Sequence, residues 1–136
     1  MKKICAVVGS RANYSSIKSV LSAIQNHSDL ELQILVNASA VLDKYGDVSN
    51  LIEKDGFKID RKIYSLVEGE TPITMAKSTG LGLIELATAF EQLNPDYVIT
   101  VGDRFETMST TIAATSLNIG LVHTMGGEIS GNIDET

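Results

Sequence analysis

Short apolar runs alternate with amphipathic stretches along the whole chain, and that alternation narrows the possible folds more than any other feature. Ile4 to Val8, Glu31 to Val36, Lys58 to Tyr64, Val98 to Val101 and Gly120 to His123 read as strands. Between them, Ser15 to Asn26 carries Ile17, Val20, Leu21 and Ile24 at the three-and-four spacing of a helix. Leu42 to Lys54 reads as helical, with a break near Gly46 and an end at Gly56. Ser65 to Pro72 reads as a loop, and Ile73 to Leu93 as a long helix stopped by Asn94-Pro95-Asp96. A last helix is expected over Glu106 to Leu117. Strands separated by helices must cross over in parallel, and such crossovers are right-handed. The pattern predicts an α/β fold: a Rossmann-like doubly wound parallel sheet in the order 3-2-1-4-5, switching direction between strands one and four. With 136 residues and no linker, residues 1–136 read as one domain.

A formal charge of −6 argues against a nucleic-acid surface, which needs clustered Lys and Arg. No apolar run is long enough to span a bilayer, so no membrane contact is expected. Met1-Lys2-Lys3 before Ile4 to Val8 superficially resembles a signal peptide. The apolar run ends at Gly9 without a cleavage site, so it reads as a first strand. Cys5 is the sole cysteine and reads as a small buried hydrophobe, which suits a reducing cytoplasm. No cluster of His, Cys and acids has metal-ligand spacing, and no cofactor is expected.

Three strand ends carry chemistry, and the expected order brings their loops to one crevice. After strand one comes Gly9-Ser10-Arg11-Ala12-Asn13-Tyr14-Ser15, which is neither a dinucleotide fingerprint nor a P-loop. It is a glycine turn opening a helix, where backbone N–H groups and an arginine attract phosphate. Ser15 either caps that helix or touches the phosphate. After strand four comes Gly102-Asp103-Arg104. A carboxylate losing hydration there has a raised pKa and suits general acid or base work, while Arg104 offers a phosphate contact. The competing reading is an Asp103–Arg104 pair capping the next helix. His123, at the end of strand five, is either a proton carrier or a structural residue. Gly126-Gly127 permits close backbone approach, and Glu128, Asp134 and Glu135 follow it as catalytic carboxylates or as the acidic start of a helix. His27 reads as surface.

Together, Gly9 to Ser15, Gly102-Asp103-Arg104-Phe105-Glu106 and His123-Thr124-Met125-Gly126-Gly127-Glu128-Ile129-Ser130-Gly131-Asn132-Ile133-Asp134-Glu135 resemble the hydrolysing UDP-N-acetylglucosamine 2-epimerases of sialic-acid and legionaminic-acid pathways. The resemblance runs through the chain in order. It implies the N-terminal half of a glycosyltransferase-B architecture, in which two Rossmann-like domains hold a UDP-sugar between them. The second domain would lie outside these residues, leaving the fragment alone inactive. The implied reaction is elimination of UDP across C1 and C2 followed by hydration, releasing UDP and a free ManNAc-type sugar. By resemblance, Asp103 and Asp134 are catalytic carboxylates, and Glu128 is a further catalytic, sugar-contacting or structural candidate. Arg11, Ser15 and Arg104 would contact the diphosphate, with Gly9, His123, Gly126 and Gly127 lining the ligand. A homo-oligomer is also implied.

One residue departs from the pattern. Where sialic-acid members carry a glutamate just before the two glycines, this chain has Met125, and a thioether cannot carry a proton. That tilts the resemblance toward the branch acting on 2,4-diacetamido-trideoxy sugars. Two other readings stand beside it: a non-catalytic α/β nucleotide-binding module, and a nucleotide-sugar glycosyltransferase domain. A phosphoryl-accepting receiver is disfavoured, because it needs acids directly after strand one, where this chain has Arg11.

Overall fold

The computed structural model describes residues 1–37, 48–64, 71–102 and 105–124. In chain order they form β1 (Lys2–Val8), α1 (Arg11–Gln25), β2 (Leu30–Val36), α2 (Val48–Lys54), β3 (Arg61–Lys62), α3 (Pro72–Leu93), β4 (Tyr97–Val101), α4 (Phe105–Ser116) and β5 (Gly120–Thr124). The strands make one parallel sheet in the order β3-β2-β1-β4-β5, the order the alternation predicts. β1 pairs with β2 along its whole length, from Lys2 opposite Leu30 to Val8 opposite Val36. On its other side it pairs with β4 from Ile4 opposite Tyr97 to Ala6 opposite Ile99.

Successive strand residues point to opposite faces, so an apolar strand with both faces covered must feed two cores. β1 does this. Ala6 and Val8 join Tyr14, Ile17 and Leu21 of α1 and Ile52 of α2 in one cluster. Cys5 and Val7 join Leu86 and Phe90 of α3 and Ala113 and Ala114 of α4 in the other. α1 and α2 therefore cover one face and α3 and α4 the other. Ser109 ties the second pair together, its hydroxyl donating to the Thr79 carbonyl at 2.6 Å.

Local chemistry sets the helix ends. α3 begins behind Thr71, whose hydroxyl accepts from the Thr74 amide while the Thr74 side chain reaches back to the Thr71 amide, with Pro72 at the first turn. It ends at Asn94, which adopts a left-handed conformation with φ 50°. α1 starts four residues earlier than apolar periodicity predicts, because its cap is Ser10. Val20, expected on the buried stripe, is exposed; the buried stripe is Tyr14, Ile17, Leu21 and Ile24. The third strand is shorter than expected: only Leu35 opposite Arg61 and Val36 opposite Lys62 form ladder pairs. The expected helix start at Leu42 and the loop over Ser65 to Glu70 lie outside the described residues.

Candidate functional site

The carboxyl ends of β1, β4 and β5 meet around two turns. At the first, Ser10 is extended at φ −163°, and its hydroxyl accepts from the Asn13 amide at 3.1 Å. Asn13 answers with its side-chain oxygen, which accepts from the Gly9 amide at 3.0 Å. The first turn of a helix leaves N–H groups without intrahelical partners, and this reciprocal pair holds α1 with that turn at the sheet edge. Arg11 occupies the first helical position, exposed to solvent, and the first turn carries no acid. Both facts run against the helix dipole, which favours anions at this end.

Gly102 is the second turn. Its φ of +83° is one that a side chain strains to adopt. A Cβ there would sit 3.7 Å from the Asn13 side-chain nitrogen, so the β4 turn lies directly against the start of α1. Its amide donates to the Thr124 carbonyl at 2.8 Å. Its carbonyl bonds to Nε2 of His123. A carbonyl only accepts, so Nε2 is the donor in this bond. His123 is exposed near the end of an edge strand and tethers the Gly102 turn.

Beneath these turns lies a crevice of about 170 Å³, counting its open mouth, at the β1–β4 switch point. Val7, Gly9, Asn37, Thr100 and Val101 from the strand ends line it, with Asn13 of α1 and Thr107 and Thr110 of α4. Ligands of open α/β sheets bind at such a point.

The structure thus brings together Gly9, Arg11 and His123 from the sequence-derived set. Ser15 is exposed on α1, and Ser10, not Ser15, is the cap. The correction is one of position: a cap precedes the first helical residue, and Ser15 lies within the helix. Asp103, Arg104, Met125, Gly126, Gly127, Glu128, Asp134 and Glu135 lie outside the described residues. Sequence reading missed Asn37, which is 1% exposed yet has no hydrogen-bond partner among the described residues on either side-chain polar atom. The signal was available: an asparagine directly follows the fully apolar Ile34-Leu35-Val36 at a carboxyl strand end.

The sheet order and the crevice at its switch point define a Rossmann-like α/β domain. The family model described as UDP-N-acetylglucosamine 2-epimerase matches residues 22–136, and the chain belongs to that family. It is 37% identical over 136 residues to the GDP/UDP-N,N'-diacetylbacillosamine 2-epimerase (hydrolyzing) of Campylobacter jejuni, covering 99% of this chain and 35% of the relative. It is likewise 37% identical over 135 residues to the UDP-N,N'-diacetylbacillosamine 2-epimerase (hydrolyzing) of Legionella pneumophila, covering 99% of this chain and 36% of that protein. The chain therefore spans about a third of the length of these curated relatives. Among solved structures, the UDP-GlcNAc 2-epimerase of Neisseria meningitidis bound to UDP-GlcNAc superposes with a TM-score of 0.79 at 19% identity, over 96% of this chain and 34% of that one. That likeness establishes the fold.

Proposed function

We propose that these residues form the nucleotide-sugar-binding N-terminal domain of a cytoplasmic hydrolysing 2-epimerase. The substrate is a UDP-2,4-diacetamido-trideoxyhexose, with UDP-N-acetylglucosamine as the alternative. The observation that carries this is α1's first turn: it holds an arginine and no acid, and sits against the Gly102 turn at the switch point. A diphosphate there would supply the anion that the helix end lacks. The names of the two 37% relatives, both hydrolysing diacetylbacillosamine epimerases, support the sugar class, as does Met125 in place of an acid.

In the proposed reaction a base removes the C2 proton of the sugar and UDP departs from C1, leaving a glycal. Water then gives its hydroxyl to C1, and C2 is protonated from the opposite face. Asp103 and Asp134 are the proposed proton carriers, with Glu128 the further carboxylate. Arg11, Ser15 and Arg104 are the proposed diphosphate contacts, and Gly9, His123, Gly126 and Gly127 the proposed lining. A second domain supplies the other wall of the cleft, so the 136 residues alone bind weakly and do not turn over. The protein is a homo-oligomer on this reading, supported by exposed Ile73, Leu81 and Ile84 on α3 and Met108 and Ile112 on α4.

The test is turnover in D2O by the protein with both domains. UDP should be released, and the free sugar should carry deuterium at C2. UDP release without that label would sink the elimination, and dependence on an acceptor sugar would instead mark a glycosyltransferase.

A further inference from the structure

Asn37 is fixed in place. Its backbone N–H donates to the Val8 carbonyl at 2.9 Å, extending the β1–β2 ladder by one step. Continuing the alternation of β2, it shares a face with Leu35, the face toward α3 and α4. Val7 and Thr100 lie on that same face, and all three line the crevice. Its carboxamide is thus held inside the crevice wall, 1% exposed, with neither Oδ1 nor Nδ2 hydrogen-bonded to any described residue. Exchanging the two amide atoms rescues nothing, since both lack partners. Buried polar atoms are nearly always paired, and an exception calls for an explanation. A second buried carboxamide among the described residues, Gln33, lies deeper in β2; its Nε2 donates to the Leu93 carbonyl at 3.1 Å, and only its Oε1 is unpaired. Asn37 is the one at the ligand edge, and it is unsatisfied at both ends.

The remaining wall says what would satisfy it. Among the described residues the crevice is lined by no charged side chain. Threonines 100, 107 and 110 offer methyls beside hydroxyls, and Val7 and Val101 are apolar. A group that suits this wall is small and neutral, donates and accepts, and ends in a methyl. An acylamino substituent has all of these properties. We infer that Asn37 is a specificity-determining residue that hydrogen-bonds an acylamino group of the sugar; this rests on the nucleotide-sugar reading above.

The experiment measures binding of UDP, UDP-glucose and UDP-2,4-diacetamido-2,4,6-trideoxyglucose by calorimetry, on the protein with both domains. It is done for the wild type, for Asn37→Leu, which keeps the volume without the polar atoms, and for Asn37→Ala. A ligand-reading amide carries a signature that a structural one does not. In Asn37→Leu the ligand-free melting temperature should hold or rise, because an unpaired buried amide is removed. UDP affinity should stay within about twofold, while preference for the diacetamido sugar over UDP-glucose should fall at least about tenfold. Unchanged preference in a folded variant would overturn the assignment and leave an ordered water as the partner of Asn37. Equal losses for all three ligands would move the contact to the nucleotide and also overturn it. So would failure of both variants to fold, which would make Asn37 structural. A wild type that binds none of the three would refute the nucleotide-sugar reading itself.

Discussion

At the scale of single residues, Arg11 and Gly102 carry opposite costs. An arginine at the first position of a helix faces the positive end of its dipole, a penalty of about 0.3–1 kcal/mol. Arg11→Gln should therefore slightly stabilise the ligand-free protein in urea melts. The same substitution removes a charge-assisted bond of about 1.5–3 kcal/mol to a diphosphate, so UDP affinity should fall at least about tenfold by calorimetry. An unchanged affinity would remove Arg11 from the site. Gly102 has no such trade. Its left-handed φ of +83° makes Gly102→Ala cost about 1–2 kcal/mol in the same melts, wherever the ligand binds. Its position was legible because a glycine ends an apolar strand. The place of Asn37, directly after Ile34-Leu35-Val36, was legible in the same way; that its amide is unpaired was not, because pairing is a fact about neighbours and leaves no mark in composition or period.

At the scale of elements, α1 is strapped to the end of α2 by Tyr14. Its hydroxyl donates to Asp55 at 2.5 Å, Lys18 stands 3.1 Å from the same carboxylate, and Phe57 meets the Tyr14 ring edge-on. Burial first, then the bond and charge of Asp55, pushes the phenol pKa up. The Tyr14 hydrogen bond first, then Lys18, holds the Asp55 carboxyl below its ordinary range. A depressed carboxyl contributes stability above its unfolded value, near 4, and loses it as pH falls through the lower folded value. The wild type should thus lose stability from about pH 4 downward, and Tyr14→Phe should flatten that acid limb in urea melts. An unaltered limb would mean that the strap carries no linkage. The core side of the same helix should be costlier: Leu21→Ala, at a fully buried position, should lose about 2–5 kcal/mol. Element order was readable because a sheet covered on both faces needs unbroken apolar strands. Element ends were less so. Lys58 to Tyr64 alternates beyond its two paired residues because edge pairing, not pattern, ends a strand. The start of α1 depended on the Ser10–Asn13 cap, which apolar periodicity does not see.

At the scale of the whole molecule, the central strand separates two cores, and Cys5 sits at its middle with no exposed surface. β2 and β4 flank it on either side, so no fraying edge reaches it. Burial first, then the nearby Asp60 charge, pushes the thiol pKa up, and the thiolate is the reactive form. Labelling of Cys5 by a disulfide reagent should therefore require the sheet to open as a unit. In native buffer the rate should fall below that of a free thiol by the folding equilibrium constant, which for a marginally stable domain is about 10³ or more. With urea the labelling rate should rise with the same slope as global unfolding followed by circular dichroism. A shallower slope would reveal a local opening of β1 and break the account of β1 as the shared wall of both cores. A UDP-sugar bound at the switch point, where β1 and β4 end, should slow labelling in proportion to its occupancy, since a ligand held only by the folded state stabilises it by mass action. Ligand-independent labelling at saturating UDP-sugar would separate the crevice from the sheet that is argued to build it.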